Sequence, residues 1–211
     1  MQERRWYSNE DVDLAIACAQ IDDLPLLIDL WHPTCYGCAK LSTVTYGDAR
    51  VQQFLARHLV VVKYNTTRPN SWFRRLTGQV AHVFHPLIVV SDGRLNEGRR
   101  FVGYVAPEAF IAHLRLGIGM LHLYHRRFEA ALEQFETVAT SKLCDNLVAE
   151  GLYWQGVAVY RVSGSDALTR VWNRLVREFP ALDWAQRADC LDVRIPDAGF
   201  DPRDPSTVTV P

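Results

Sequence analysis

Two cysteines that could perform thiol chemistry, Cys35 and Cys38, follow a short apolar run and precede a segment that suits a helix. The N-terminus of a helix concentrates unpaired backbone N–H groups and a partial positive charge, and both stabilise a thiolate. In this arrangement the first cysteine lies at the exposed helix end and the second lies one turn inward. The spacing predicts thiol–disulfide chemistry, with Cys35 as the nucleophile and Cys38 as the resolving thiol.

The same pair could instead hold a metal ion or an iron–sulfur cluster. A closed tetrahedral zinc site needs four ligands, and the chain has no second Cys-x-x-Cys pair. A metal site remains possible if two Cys-x-x-Cys pairs bridge a dimer or if His85 is a third ligand. We expect no cofactor, with a metal or iron–sulfur protein as an alternative.

The charge of the chain is nearly balanced, with 23 basic against 24 acidic residues and a formal net charge of -1. This balance gives no reason to expect nucleic acid or an anionic membrane as a partner. No apolar run reaches the roughly 20 residues that span a bilayer, and the N-terminus lacks the apolar core of a signal peptide. Five cysteines, an odd number, do not resemble a secreted disulfide framework. We expect a cytoplasmic protein.

The elements that must position the cysteine pair alternate between strands and helices. Continuous apolar runs predict buried strands, and amphipathic spacing with capping residues predicts helices. The expected order is helix 8–20, strand 26–31, helix 36–44, helix 49–57, strand 59–63, strand 87–90, a turn at 91–94, strand 100–104 and helix 107–124. This order predicts an α/β fold in which a hairpin adds antiparallel pairing to the sheet.

The second half of the chain contains no convincing strand. Its amphipathic segments predict helices over 127–140, 147–161, 166–179 and 185–193. Gly119 and Gly156, like Ala131 and Ala167, recur at a spacing close to the helical-hairpin period of about 34 residues. We expect a tetratricopeptide-like region over 117–195, after a first domain over 1–116, and a disordered proline-containing tail over 196–211.

Residues around the pair make the first domain resemble the thioredoxin fold. The residues that carry the resemblance are Asp29, Trp31, Lys63, Pro86, Gly93 and Gly103. Thioredoxins have a buried acid six residues before the first cysteine and a tryptophan four residues before it. They also have a lysine on the next strand and a cis-proline before the third strand. The dipeptide Tyr36-Gly37 departs from the Gly-Pro of ordinary thioredoxin.

The segment after the cysteines resembles the C-terminal thioredoxin-like domain of the disulfide reductase DsbD and related intracellular thioredoxin-like proteins. The shared Thr–aromatic–x–Asp–x–x–Val pattern is matched by Thr45, Tyr46, Asp48 and Val51. The resemblance covers about residues 10–116. It implies a protein substrate with a disulfide or sulfenic acid, and a reductase or thiol donor.

The resemblance also implies roles for individual residues. Asp29 would be a buried acid/base that exchanges a proton with Cys38, and Lys63 would be either its partner or a strand-end lysine that reaches solvent. Trp31, His85 and Pro86 would contact substrate. A cis His85–Pro86 bond would place His85 beside the nucleophilic cysteine, where an imidazolium would stabilise the thiolate.

We therefore predict a cytoplasmic thiol–disulfide oxidoreductase, reductase-like rather than an oxidase. The alternative is a scaffold protein in which the thioredoxin fold is a platform and the helical region binds a partner, since a fold alone does not imply catalysis.

Overall fold

The structure is a computed structural model that describes residues 6–77 and 84–192 of the 211. The chain forms two compact units, Met1–Gln134 and Phe135–Pro211. The tail expected over 196–211 lies outside the described residues. In the described part of the chain, no helix is both long enough and apolar enough to cross a bilayer.

The first unit is built on a mixed five-stranded sheet. Its strands are β1 (Trp6–Tyr7), β2 (Leu26–Trp31), β3 (Val60–Asn65), β4 (Leu87–Ser91) and β5 (Glu97–Val102). Its helices are α1 (Val12–Ile21), α2 (Tyr36–Lys40), α3 (Ala49–His58), α4 (Phe73–Thr77) and α5 (Pro107–Tyr124). The strand order is β1-β3-β2-β4-β5. Strand β2 runs parallel to β3 and antiparallel to β4, which confirms the predicted α/β thioredoxin fold.

Strand β2 is the central strand, and its two faces pack into two separate cores. Leu26, Ile28 and Leu30 join one core, and Leu27 joins the other. Because side chains alternate along a strand, Asp29 points to the same face as Leu27. The fold thus places one carboxyl group inside an otherwise apolar layer.

The second unit is helical, as predicted. Helix α6 (Phe128–Ala139) spans the division between the units, and it is followed by α7 (Asp145–Ser163), α8 (Ser165–Glu178) and α9 (Asp183–Ala188). Gly164, with φ of +83°, joins α7 to α8. The core between these helices includes Leu152, Trp172 and Leu175. The tetratricopeptide-like relationship stays a prediction.

The structure divides later along the chain than the domain boundary expected after residue 116. Helix α5 runs through that position without a break, and its Gly117 lies against the sheet, where an added Cβ would come within 2.8 Å of Val90. Leu114, Ile118 and Leu121 on the same helix belong to the core of the first unit. Because α5 contributes to this core as far as Leu121, the part of the helix after residue 116 belongs to the first unit.

Two local features differ from the sequence-based expectation. Strand β1 was not expected, because two residues carry no periodic signal. The segment expected as one helix over 36–44 is α-helical only to Lys40 and then forms a π-helical turn over Leu41–Thr45. In this turn the Tyr46 N–H donates to the Leu41 carbonyl at 2.9 Å, five residues back instead of four.

Candidate functional site

Cys35 and Cys38 form a disulfide at the start of α2, with their Cα atoms 5.2 Å apart. Cys35 is the N-cap residue, and its Sγ accepts a hydrogen bond of 3.0 Å from the backbone N–H of Cys38. The Cys35 side chain is partly exposed, whereas Cys38 is buried, with 7% of its surface exposed. A bulky reagent therefore reaches Cys35 first, as the sequence predicts for the nucleophile.

The loop before β4 packs against this disulfide. The His85–Pro86 peptide bond is cis, as predicted. A Cβ added at Gly37 would lie 3.1 Å from Cδ of Pro86, closer than ordinary contacts. Glycine between the two cysteines thus lets the proline loop approach the first turn of α2.

An open groove of about 470 Å³ runs past the disulfide. Its lining residues are His32, Thr34, Cys35, Tyr36, Gly37, Phe84 and His85. Tyr36 and Phe84 are exposed to 93% and 64%, so two aromatic side chains stand unburied at the cysteine that a substrate would meet. Among the described residues, the lining contains no carboxylate, lysine or arginine.

His85 lies in the groove with Cys35, as predicted, and its ring is held by a threonine. Thr66 Oγ1 lies 2.7 Å from Nε2 of His85 and 3.0 Å from the Trp31 carbonyl, to which it donates. Because a hydroxyl has one proton to donate, Nε2 of His85 is the donor to Thr66. The His32 ring lies 5.4 Å from the His85 ring.

Trp31 and Pro86 do not line the groove themselves, although the sequence places them in substrate binding. Trp31 ends β2 and is partly exposed, and its carbonyl accepts from both the N–H and the hydroxyl of Thr66. Pro86 lies against Gly37, which is one of the lining residues.

Asp29 is buried as expected, with 1% of its surface exposed. Its Oδ2 accepts a hydrogen bond of 3.1 Å from the Tyr46 hydroxyl and lies 3.6 Å from Nζ of Lys63. Burial raises the pKa of Asp29, although the Lys63 charge and the Tyr46 hydroxyl both oppose this shift. Desolvation wins because the carboxylate loses water on every side and gains only one close hydrogen bond.

Lys63 fits both readings that the sequence left open. Its Nζ lies near Asp29, and its side chain is 26% exposed. The ammonium also donates to Ser42 Oγ at 2.8 Å and lies 4.8 Å from the centre of the Tyr46 ring. Lys63 is thus a partner of the buried acid that still reaches solvent.

Tyr46 is the residue of this site that sequence reasoning missed. Its ring is buried between Trp6 and Phe110, at centroid distances of 5.2 and 5.6 Å. Burial, with the charge of Asp29, holds the pKa of Tyr46 well above its usual range, so its hydroxyl stays protonated. The Thr–aromatic–x–Asp pattern contains Tyr46, but the pattern alone does not predict the contact of its hydroxyl with Asp29.

The other members of that pattern have structural roles. Thr45 Oγ1 donates to the Val105 carbonyl at 2.6 Å. Asp48 caps α3 by accepting from the backbone N–H of Arg50 and Val51. The Val51 side chain is fully buried in the core. The pattern as a whole fixes the chain that leads from the cysteines to α3.

The remaining cysteines lie outside this arrangement. Cys18 accepts a hydrogen bond of 3.2 Å from the Tyr7 hydroxyl, and Cys144 and Cys190 are exposed free thiols. Within residues 6–77 and 84–192, no three His, Cys, Asp or Glu side chains are grouped so that they could hold a metal ion. The metal alternative therefore finds no third ligand among those residues.

Comparison with known proteins gives sequence relatives over about half of the chain. The chain is 28% identical over 117 residues to the thiol:disulfide interchange protein DsbD of Ralstonia nicotianae, a match of 55% of this chain and 19% of the relative. It is 29% identical over 105 residues to DsbD of Escherichia coli, covering 49% and 18%. The chain thus spans about a fifth of the length of the curated relatives it matches. No family model matches the chain.

Solved structures that superpose on this chain include a thioredoxin and a DsbD domain. A thioredoxin from Thermus thermophilus superposes with a TM-score of 0.44 at 23% identity, covering 55% of this chain and 86% of that one. The oxidised C-terminal domain of Neisseria meningitidis DsbD gives 0.41 at 16% identity, covering 50% and 91%. Strand order and sequence similarity agree: the chain has a thioredoxin-fold unit and is homologous, over about half its length, to thiol:disulfide interchange proteins of the DsbD type.

Proposed function

We propose that the chain is a thiol–disulfide oxidoreductase that reduces protein disulfides through the Cys35/Cys38 dithiol. One observation carries the proposal: a partly exposed Cys35 Sγ accepts the N–H of buried Cys38 at the start of a helix. That position stabilises negative charge on Cys35. The similarity to proteins named for thiol:disulfide interchange supports the same chemistry.

The first step is attack by the Cys35 thiolate on one sulfur of a substrate disulfide. A bond forms between Cys35 Sγ and that sulfur, and the substrate S–S bond breaks. The second substrate sulfur leaves as a thiolate and takes a proton from solvent. His85, in the groove with Cys35, stabilises the attacking thiolate when its ring is protonated.

The second step releases the substrate. Cys38 loses its proton to the Asp29 carboxylate and attacks Cys35 Sγ, which forms the Cys35–Cys38 disulfide and breaks the bond to the substrate sulfur. The substrate has then gained two electrons, and the protein dithiol has lost two. A thiol donor or a reductase returns the protein to the dithiol form. Burial raises the pKa of Asp29 above its ordinary value, which makes its carboxylate a stronger base for the Cys38 proton.

The groove supplies the contacts for the substrate chain. Tyr36 and Phe84 offer exposed aromatic surface in the groove that contains Cys35 and His85. Trp31 supports the groove through the Thr66 hydrogen bonds. We propose that a protein disulfide with apolar neighbours docks here.

Two further expectations stay predictions. The helical region over 117–195 is expected to bind a partner protein, and the chain is expected in the cytoplasm. Affinity capture with residues 117–195 of the full chain altered on their exposed faces tests the first. Fractionation of cells that express the native gene tests the second.

The test of the proposed function is capture of the mixed disulfide. Cys38→Ser should accumulate disulfide-linked substrate on Cys35, identified by mass spectrometry of the linked peptide. Cys144→Ser, which removes an exposed free thiol elsewhere, is the matched control and should behave like the wild type. If oxidised and reduced thiol buffers never convert the Cys35/Cys38 pair between its dithiol and disulfide forms, the proposed function is wrong.

A further inference from the structure

The buried carboxylate of Asp29 has two neighbours that can stabilise its charge, and they share one oxygen. The Tyr46 hydroxyl is 3.1 Å and Lys63 Nζ is 3.6 Å from the same Oδ2. Among the described residues, Oδ1 of Asp29 has no hydrogen-bond partner. Oδ2 is therefore occupied by its two neighbours, whereas Oδ1 is available to accept a proton.

We infer that Tyr46 is a positioning residue, which holds Oδ2 of Asp29 so that Oδ1 is the atom that takes the proton of Cys38. The inference rests on the proposed function, because Asp29 needs a fixed orientation only if it exchanges that proton. It concerns the hydroxyl of Tyr46 alone, and the ring has a separate packing role.

The π-helical turn brings the Tyr46 side chain to this place. In a regular helix, residues 38, 41 and 45 share a face and residue 46 turns away from it. The wider turn over Leu41–Thr45 instead stacks Tyr46 on Leu41, and both Thr45 and Tyr46 become buried. Such turns cost helix regularity and are frequent at functional sites.

Lys63 cannot replace Tyr46 in this task. Its Nζ lies beyond hydrogen-bond distance of Asp29 and donates to Ser42 Oγ at 2.8 Å. The ammonium is also partly exposed, so its position is less constrained. Lys63 supplies charge, whereas Tyr46 supplies the directed hydrogen bond.

The groups that face Asp29 from every side are few. Strand β3 places Lys63 beside it, and strand β4 places Ile88, which is apolar. The π-helical turn contributes Tyr46, whose hydroxyl donates to Asp29. Trp6 of β1 covers the Tyr46 ring. Among the described residues, burial raises the pKa of Asp29, and the Lys63 charge and the Tyr46 hydroxyl oppose this shift.

The experiment removes the hydroxyl and keeps the ring. In the disulfide form of the full chain, carbon-13 NMR of the Asp29 carboxyl should show a pKa higher in Tyr46→Phe than in wild type by about one unit, because a hydrogen bond to the charged form is lost. In the reduced chain, release of a mixed disulfide should slow about tenfold at a given pH on the acid side of its profile. Tyr64→Phe is the matched control. It removes a buried hydroxyl bonded to Asn70 and should leave the Asp29 titration unchanged.

An Asp29 titration that is unaltered in folded Tyr46→Phe overturns the inference. If that variant does not fold, the wild type decides: the Cζ signal of Tyr46 must shift with the titration of Asp29, and a constant signal excludes the hydrogen bond. The two NMR readouts use the disulfide form without substrate. Failure of Cys38→Ser to trap substrate would therefore refute the proposed function without changing them.

Discussion

Thr66 accepts a hydrogen bond of 2.7 Å from Nε2 of His85, and this contact ties the end of β3 to the loop that carries the cis-proline. The Thr66 hydroxyl donates its own hydrogen bond to the Trp31 carbonyl, at the end of β2. The imidazole beside the cysteine pair is thus oriented by the two central strands of the sheet. The orientation of the His85 ring therefore depends on Thr66 and Trp31, which are distant from it in the sequence.

His85→Ala should make Cys35 a poorer nucleophile. Without the nearby imidazolium, the thiolate loses an opposite charge, and the Cys35 pKa in the reduced protein should rise by about half a unit to one unit. The rate of alkylation by iodoacetamide, followed against pH, measures this pKa. His125→Ala is the control. His125 pairs with Asp92, which directly follows β4. That end of β4 lies beside the start of β2, whereas the cysteines follow the other end of β2. Equal alkylation profiles for the two variants would contradict the role of His85.

Thr66→Val should reproduce part of the His85→Ala effect without removing the imidazole. The hydroxyl that accepts from Nε2 would be lost, so the ring would no longer be fixed beside Cys35. We expect a change in the pKa of Cys35 in the same direction and smaller than that of His85→Ala. The alkylation profile is again the measurement, and a shift equal to or larger than that of His85→Ala would show that Thr66 acts by another route.

Asp29→Asn should stabilise the disulfide form at neutral pH. Because burial raises the folded-state pKa of Asp29, the wild type has its full stability below the unfolded pKa of this carboxyl and loses part of it as the pH rises through the folded pKa. The gain should be about 1.4 kcal/mol for each pKa unit of the shift, absent near pH 3 and complete above the folded pKa. Urea unfolding at several pH values measures it. A gain that does not change with pH would mean that ionisation of Asp29 is not the cause.

Gly37→Ala should weaken the packing of the proline loop on the cysteine turn. The added methyl would meet Cδ of Pro86 at 3.1 Å, so one of the two must move. We expect a loss of about 1 kcal/mol in the free energy of unfolding and a slower reaction of the pair with a peptide disulfide. Tyr36→Ala, at the neighbouring exposed position, should leave stability within about 0.5 kcal/mol. A Gly37→Ala protein as stable and as fast as wild type would show that the loop yields freely.

Gly156→Ala should destabilise the helical second unit although alanine is the better helix former. A Cβ at this position would overlap Nε1 and Cδ1 of Trp172, whose indole N–H donates to the Tyr153 carbonyl at 3.1 Å. The expected loss is about 1–3 kcal/mol in the free energy of unfolding, against a gain of about 0.5–1 kcal/mol from helix propensity alone. Thermal unfolding followed by tryptophan fluorescence measures it. An increase in stability would contradict the close contact with Trp172.

The amino-acid sequence is enough to predict the parts of this protein that depend on local chemistry. The nearly continuous apolar run predicted β2 with the bounds that the structure shows, because a strand buried on both faces carries apolar residues at almost every position. Pro107 placed the start of α5, since proline is tolerated at the first turn of a helix. The two-residue spacing of Cys35 and Cys38 predicted the geometry of a disulfide at a helix start. Each of these signals lies within a few residues of the feature it predicts.

Tertiary structure alone decided which side chains surround the pair. Tyr46 bonds to Asp29 across 17 residues, and Thr66 to His85 across 19. Tyr46 reaches the carboxylate only because the helix widens into a π-turn, which local propensity does not encode. Strand β1 is two residues long and exists because β3 offers an open edge for it. Periodicity reports which face of an element is buried, but hydrogen bonds between elements depend on packing distances that are fixed only when the sheet and its helices come together.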